Sequence, residues 1–309
     1  MKLTFNQLKR IICESYDVGE YEEILCELFE VDDISEITKN MYEKILQEYE
    51  NNTLNEHDSS LLEEAAEIVY QAANENGYNI IAHHGTTVEF SEFKKGDIGF
   101  HLGTLEQAKM AAKAHTFFHS EEGIIYLNTA ISLHNPLVIN NDPECWDPGD
   151  LFYGAKRKID SYIQNFQNET TNKEELLKKV KDKIDNNIET KRLDINRLEN
   201  SYKEINFLLL YQFLKFSLEE ILKYGEIGGG DLNEKKKLIV DRIKSLGYDG
   251  IKYLNLYEVD HESDTHDYSY IVLDANQIKN CEVISFSNGK VVPLENRFNK
   301  NTNNLFENN

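Results

Sequence analysis

Apolar positions in the first 78 residues recur three and four apart. Leu8, Ile11 and Ile12 make one set, then Tyr21, Ile24, Leu25 and Leu28, then Met41, Ile45, Leu46 and Tyr49, then Leu61, Leu62, Ala65, Ile68 and Val69. That spacing lines one side of a helix and leaves the acids for the other, so it predicts a run of amphipathic helices. From 79 the pattern changes. Short runs of strand composition appear: NIIAHH (79–84), GIIYLN (123–128), PLVIN (136–140), GIKYLN (250–255), SYIVLD (269–274) and CEVISF (281–286). TLEQAKMAAKAH (104–115) returns to helical spacing, with Thr104 and Gln107 placed as a capping box. Strands and helices mix without the strict alternation of a doubly wound sheet, which gives an α+β class.

Residues 150–224 differ again. LLKKVKDKIDNNIETKRLDINRLENSYKEI (176–205) is charged and periodic, with Thr171 and Glu174 as its expected capping pair, and NFLLLYQFL (206–214) reads as a buried helix. These helices are read as an insertion, because the strands on both sides look like parts of one sheet. The alternative is a separate helical domain. GEIGGGD (225–231) is a loop. The Asn-rich segment 291–309 is expected to be a disordered tail. The expected organisation is a helical region over 1–78 and a mixed domain over 79–290, with an insertion at about 150–224.

Charge narrows the partners. The 309 residues carry 55 acids against 33 bases, a formal charge of −22. Phosphate contacts need clustered Lys and Arg, so a broad nucleic-acid surface and an anionic membrane surface are both disfavoured. Cys13, Cys26, Cys145 and Cys281 are scattered with no C-x-x-C, which points to buried thiols in a reducing compartment. Lys9, Arg10 and Glu14 interrupt the start of the chain, so it is not read as a signal peptide. No uncharged apolar run reaches the roughly 18 residues of a membrane span. The expected location is the cytoplasm.

Chemistry concentrates where the first strand ends, at His83-His84-Gly85-Thr86. Alternation sends His83 and His84 to opposite faces. Gly85 leaves its backbone open to a ligand, and Thr86 adds a hydroxyl. A plain surface turn is the competing reading. Other constellations carry less. His115 and His119 stand four apart without a clear third ligand, so no metal site is read there. DHESDTHD (260–267) lacks the spacing of a calcium loop. Cys145 beside Trp146 reads as a buried thiol next to a loop anchor.

Four segments taken together, NIIAHHGTT, GDIGFHLGTLEQA (96–108), GYDGIKYLN (247–255) and SYIVLDANQIK (269–279), resemble the ADP-ribosyltransferase superfamily on its diphtheria-toxin and poly(ADP-ribose)-polymerase-like side. The order matches: a strand ending in His-Gly-Thr, a Gly-aromatic step before a helix, and a late strand followed by Gln. The nearest likeness is to the transferase-like domains of phage polyvalent proteins. It covers roughly 79–145 and 235–287, not the N-terminal helices or the charged insertion, and it implies a split, mostly antiparallel β-sandwich around an NAD cleft, to which the pattern adds the helical N-terminal region and the helical insertion.

The resemblance also implies roles. His84 would bond the adenosine ribose of NAD, Gly85 would grip the nicotinamide carboxamide with its backbone, and Thr86 would supply the neighbouring hydroxyl. His101 stands where the family stacks a tyrosine on nicotinamide. The second stacking tyrosine has no counterpart, Met110 and Ala111 being nearest. Ser269 stands at the position of the catalytic glutamate, where it would hold the ribose without supplying a charge. An oxocarbenium-like transition state calls for a carboxylate, and Glu258 is the candidate, with Glu262 beside it. The expected activity is NAD-dependent transfer of a single ADP-ribose to a macromolecule, a protein ahead of nucleic acid, with release of nicotinamide. NAD is a substrate, and no metal is implied, because the leaving ring is already cationic. The N-terminal helices, outside the resemblance, are read as a helical cap, a docking module for a protein partner, or both. The alternative function is a catalytically silent binding or interaction protein on the same fold, phage- or defence-associated. A tRNA 2′-phosphotransferase-like reaction is a third reading, which lacks the basic residues it needs near the motifs.

Overall fold

The structure is a computed structural model. It describes residues 17–86, 90, 92–93, 98–116, 125–140, 142–143, 145–170, 172–192, 202–255, 267–287 and 289–305. In chain order the elements are α1 (Val18–Phe29), α2 (Lys39–Glu50), α3 (Glu56–Glu75), β1 (Ile80–Thr86), β2 (Phe100–Leu102), α4 (Leu105–Thr116), β3 (Ile125–Ile131) and β4 (Pro136–Ile139). Then follow α5 (Pro148–Phe166), α6 (Lys173–Glu189), α7 (Tyr202–Leu208), α8 (Leu218–Gly225), α9 (Leu232–Ser245), β5 (Gly250–Leu254), β6 (Tyr268–Val272), β7 (Ile278–Asn280), β8 (Phe286–Ser287) and β9 (Lys290–Val291). The class is α+β. No helix among the described residues is long and apolar enough to cross a membrane.

The chain divides into two compact units. The first takes Met1–Lys94, Ala112–Leu133 and Asp274–Asn309; the second takes Lys95–Ala111 and His134–Leu273.

In the first unit, helices α1, α2 and α3 start where Asp17, Thr38 and Asn55 accept bonds from first-turn N–H groups, which removes unpaired donors. Their apolar sides do not form a separate domain. Tyr21, Leu25, Val69 and Ala72 share one core with Ala130 of β3 and with Cys281, Leu294 and Phe298. The expected boundary at 78 is therefore corrected: the change from helical to strand period marks a change of element within one core. The sheet of this unit runs β1-β3-β7, antiparallel throughout. The CEVISF run forms only the short β8 at its end. The strand next to β3 is instead the IKN stretch just before it.

The expected disordered tail is also corrected. The segment is anchored as far as Leu305, with Arg297 fully buried and Val292, Leu294, Phe298 and Leu305 almost so. Lys279, 0% exposed at the centre of β7, donates from Nζ to the carbonyls of Thr302 (2.7 Å) and Asn304 (2.6 Å). Burial alone pulls this ammonium down from 10.5 to about 8. The unfolded chain keeps the proton up to its ordinary value while the folded chain releases it above about 8. Between those values the unfolded state binds more protons, so stability rises with pH. The unfolding free energy of the wild type, compared with that of Lys279→Met, is expected to gain up to about 3 kcal/mol across that window. Denaturant melts of both proteins at each pH measure it; a flat difference would refute it.

In the second unit the sheet runs β2-β6-β5-β4. β4 and β5 are parallel, while the other pairs are antiparallel. A parallel pair needs a long crossover, and the helices between 148 and 245 supply it. They share a core with the sheet: Phe152, Ile159, Phe207 and Leu210 pack with Ile139, Ile251, Tyr253 and Ile271. Each buried side chain of this size contributes about 1.5–3 kcal/mol. The insertion is thus part of the unit's core. The cap of α6 is Asn172, whose side chain accepts from Glu174 and Glu175, one residue later than expected; Thr171 lies outside the described residues. The GYDGI turn has a structural task of its own. Asp249 accepts from the N–H groups of His134 (2.6 Å) and Asn135 (3.0 Å), which aligns the starts of β4 and β5.

Candidate functional site

The His-Gly-Thr segment closes β1, and its register fixes which way the backbone faces. His83 pairs with Asn128, His84 with Leu127 and Gly85 with Tyr126. The carbonyl of Asn128 accepts from Cys281 N–H (2.8 Å), and its own N–H donates to the Glu282 carboxyl (3.0 Å). Ser132 N–H, in the same parity, donates to Gln277 O (2.9 Å). Alternate residues of β3 therefore turn their backbone groups away from β1. In an antiparallel ladder this makes His84–Leu127 a bonded pair and His83–Asn128 and Gly85–Tyr126 non-bonded pairs. Gly85 consequently turns both its N–H and its C=O outward. β1 is an edge strand of its sheet, and no described residue bonds to those two groups.

The side chains divide as alternation requires. His84 lies among aromatic rings, with Phe93 edge-on at 5.0 Å and Phe90 at 6.0 Å. His83 shares the other face with Asn128, whose amide donates to Tyr70 Oη (3.3 Å) and Cys281 O (3.2 Å). Burial raises the Glu282 carboxyl above the usual carboxylate range, and the bond from Asn128 and the charge of Arg297 partly oppose this. Thr86 is half-buried at the strand end.

The second unit places His101 and Ser269, far apart in sequence, on one face of one sheet. His101 pairs with Ile271 across β2 and β6, and Ser269 lies two residues before Ile271 on the same side. His101 is half-buried, with Nδ1 3.4 Å from Tyr253 Oη and the Trp146 ring at 6.4 Å.

Ser269 is 2% exposed, and its hydroxyl is already engaged. It donates to Gln107 Oε1 (3.0 Å) and accepts from Asn255 Nδ2 (2.9 Å). Gln107 serves twice: its backbone N–H and side chain close the expected capping box with Thr104, and its Nε2 donates to Asp267 O (3.1 Å). Gly103 stands so close that a Cβ there would collide with Gln107 Oε1 and press on Ser269 Oγ. As it stands, a ribose hydroxyl would have to displace Gln107 or Asn255 to reach Ser269. Ser269→Ala is expected to destabilise the chain by about 1–3 kcal/mol, since two buried polar partners are left unsatisfied. Urea unfolding measures this, and a neutral result would show that the network carries no stability.

The other expected residues fall outside this arrangement. Glu258, Glu262 and His119 lie outside the described residues. Among the described residues no group of three His, Cys, Asp or Glu is placed to hold a metal. Cys26, Cys145 and Cys281 are free thiols, and burial pushes all three above the ordinary thiol range, so none is set up as a thiolate. Tyr253 and Asn255 were not singled out by sequence. Their only signal was their place in the GYDGIKYLN segment. Comparison with family models, curated proteins and solved structures found no match.

Proposed function

We propose that the chain is an NAD-dependent ADP-ribosyltransferase of the diphtheria-toxin and poly(ADP-ribose)-polymerase-like type. It moves a single ADP-ribose from NAD to a macromolecular acceptor, a protein by preference, and releases nicotinamide. The observation that carries the reading is the open edge at Gly85. A primary carboxamide has one acceptor and donors side by side. A residue at a strand edge offers the complementary N–H and C=O from one position, so a carboxamide docks there as a missing strand residue would. His84 and Thr86 flank that position and keep the ribose-binding and hydroxyl roles that the resemblance implies. His101 keeps the stacking role. The split, mostly antiparallel β-sandwich is part of the same proposal. The carboxylate that would stabilise the oxocarbenium-like transition state is assigned to Glu258.

The enclosure of Ser269 favours a second reading. With no free hydroxyl at that position, the site binds NAD without turning it over. One experiment separates the two. The purified protein is incubated with NAD labelled in its adenylate part, alone and with cell lysate. Label on the protein itself or on a lysate component, with nicotinamide release, supports the transferase. Saturable NAD binding without release supports the silent binder. Neither binding nor transfer rejects both.

A further inference from the structure

The last described residues complete the sheet that ends in His84. Asn280 N–H, at the end of β7, donates to Leu305 O (3.1 Å). Lys279 Nζ, from the neighbouring position, donates to Thr302 O and Asn304 O. Just upstream, Asn276 Nδ2 donates to Lys300 O (2.9 Å). Residues 302–305 therefore lie as a short strap along the edge of β7 that β3 does not occupy. Leu305, 1% exposed, is its buried end. The strap also pairs with a segment some 200 residues earlier: Glu92 and Asn304 form an antiparallel bridge. Phe93, the next residue, is 6% exposed and meets the His84 ring edge-on at 5.0 Å, with Phe90 4.8 Å from Phe93.

His84 lies on the far strand of the same sheet. Ala82, Thr129 and Asn280 are paired in one line across β1, β3 and β7, and His84 follows Ala82 by two residues on the same face. The wall made by Phe90 and Phe93 thus meets His84 at one end and is tied to the strap at the other. Ring contacts of this kind are individually small against the entropy of ordering a chain segment. A wall held by rings alone is loosely held, and the strap gives it a second anchor.

We infer that the C-terminal strap, residues 302–305, positions His84 by holding Phe90 and Phe93 against its ring. It acts through the wall and makes no contact with a ligand. Its effect on NAD rests on the transferase reading, in which His84 bonds the adenosine ribose; its effect on the His84 ring does not.

The test follows the His84 imidazole by proton NMR, its signal identified by absence from the spectrum of His84→Asn. In the wild type the neighbouring rings are expected to displace that signal from the position of free imidazole. A chain ended at Asn301 removes the strap. Leu305→Ala keeps the full chain and weakens the buried end, and Leu305→Ile preserves its volume. In the shortened chain and in Leu305→Ala the signal is expected to move toward the free position. KM for NAD is expected to rise about tenfold with kcat unchanged, and Leu305→Ile to match the wild type. Circular dichroism checks that each variant is folded. A His84 signal unmoved in the shortened chain, or in Leu305→Ala where that chain does not fold, would overturn the strap. A moved signal with KM unchanged would support the strap and remove His84 from NAD binding. A moved signal in a protein that neither binds nor consumes NAD would support the strap and sink the transferase.

Discussion

Gly85→Pro is expected to abolish NAD-dependent labelling, by about 100-fold or more, while the protein stays folded. The argument is the register of β1. Proline removes an N–H and is tolerated in a sheet only at an edge, where that N–H points out of the ladder. Gly85 pairs with Tyr126 in the non-bonded parity, so its N–H is not a ladder bond. The variant therefore deletes the donor proposed for the carboxamide and adds ring bulk at the same point, without touching β3. Ala82→Pro is the control. Ala82 lies in the bonded parity opposite Thr129, is 1% exposed, and its carbonyl also accepts from the Thr129 hydroxyl (2.7 Å). Losing that ladder bond in the interior is expected to cost about 3 kcal/mol or more. Circular dichroism melts and labelling assays of both variants measure the contrast. A fully active Gly85→Pro would refute the assigned role of the strand edge, and a stable Ala82→Pro would refute the register.

Arg297→Met is expected to produce the largest loss of stability in the chain, about 3–5 kcal/mol in urea unfolding. Arg297 is 0% exposed. Its guanidinium donates from Nε to Val292 O (3.1 Å), from Nη1 to Glu282 O (2.9 Å) and Val283 O (3.1 Å), and from Nη2 to Tyr21 Oη (2.6 Å). Tyr21 in turn donates to Val283 O (2.7 Å). Methionine fills much of the volume but removes the donor that serves Val292 O, Glu282 O and Tyr21 Oη, and leaves Val283 O with the Tyr21 hydroxyl alone. Arg297→Lys is expected to recover only part of the loss, because a single ammonium cannot reach the four directions that the planar fork serves. Wild-type stability in Arg297→Met would show that the contacts are incidental. Full rescue by lysine would show that only the charge matters.

Much of the fold was legible because period and burial coincide. The α1 and α3 stripes, the strand ending in His83-His84 and the Thr104–Gln107 cap are all local patterns, set within a few residues of themselves. What escaped depends on pairs far apart. Ser269 is enclosed by Gln107 and Asn255, 162 and 14 residues away, and nothing in SYIVLD announces that its serine faces a buried amide. The outward turn of Gly85 follows from bonds between β3 and β7, so the strand's own residues do not carry it. Arg297 misled for another reason. A basic side chain in an Asn-rich stretch has the composition of a solvated tail, and only the backbone carbonyls gathered around it allow it to be buried. The change at 79 looked like a domain boundary because period reports the type of element and says nothing of which core it joins.

The bond between Arg297 and Tyr21 spans 276 positions of the chain. During synthesis α1 leaves the ribosome early and waits, its core incomplete, until Arg297 has followed. The second unit, confined to Lys95–Leu273, has by then all of its residues available. A nascent chain cut short anywhere between 274 and 296 therefore carries every residue of the second unit and an unclosed first one. The strand edge at Gly85 belongs to the unit that closes last, so any chemistry that depends on it is withheld from incomplete chains.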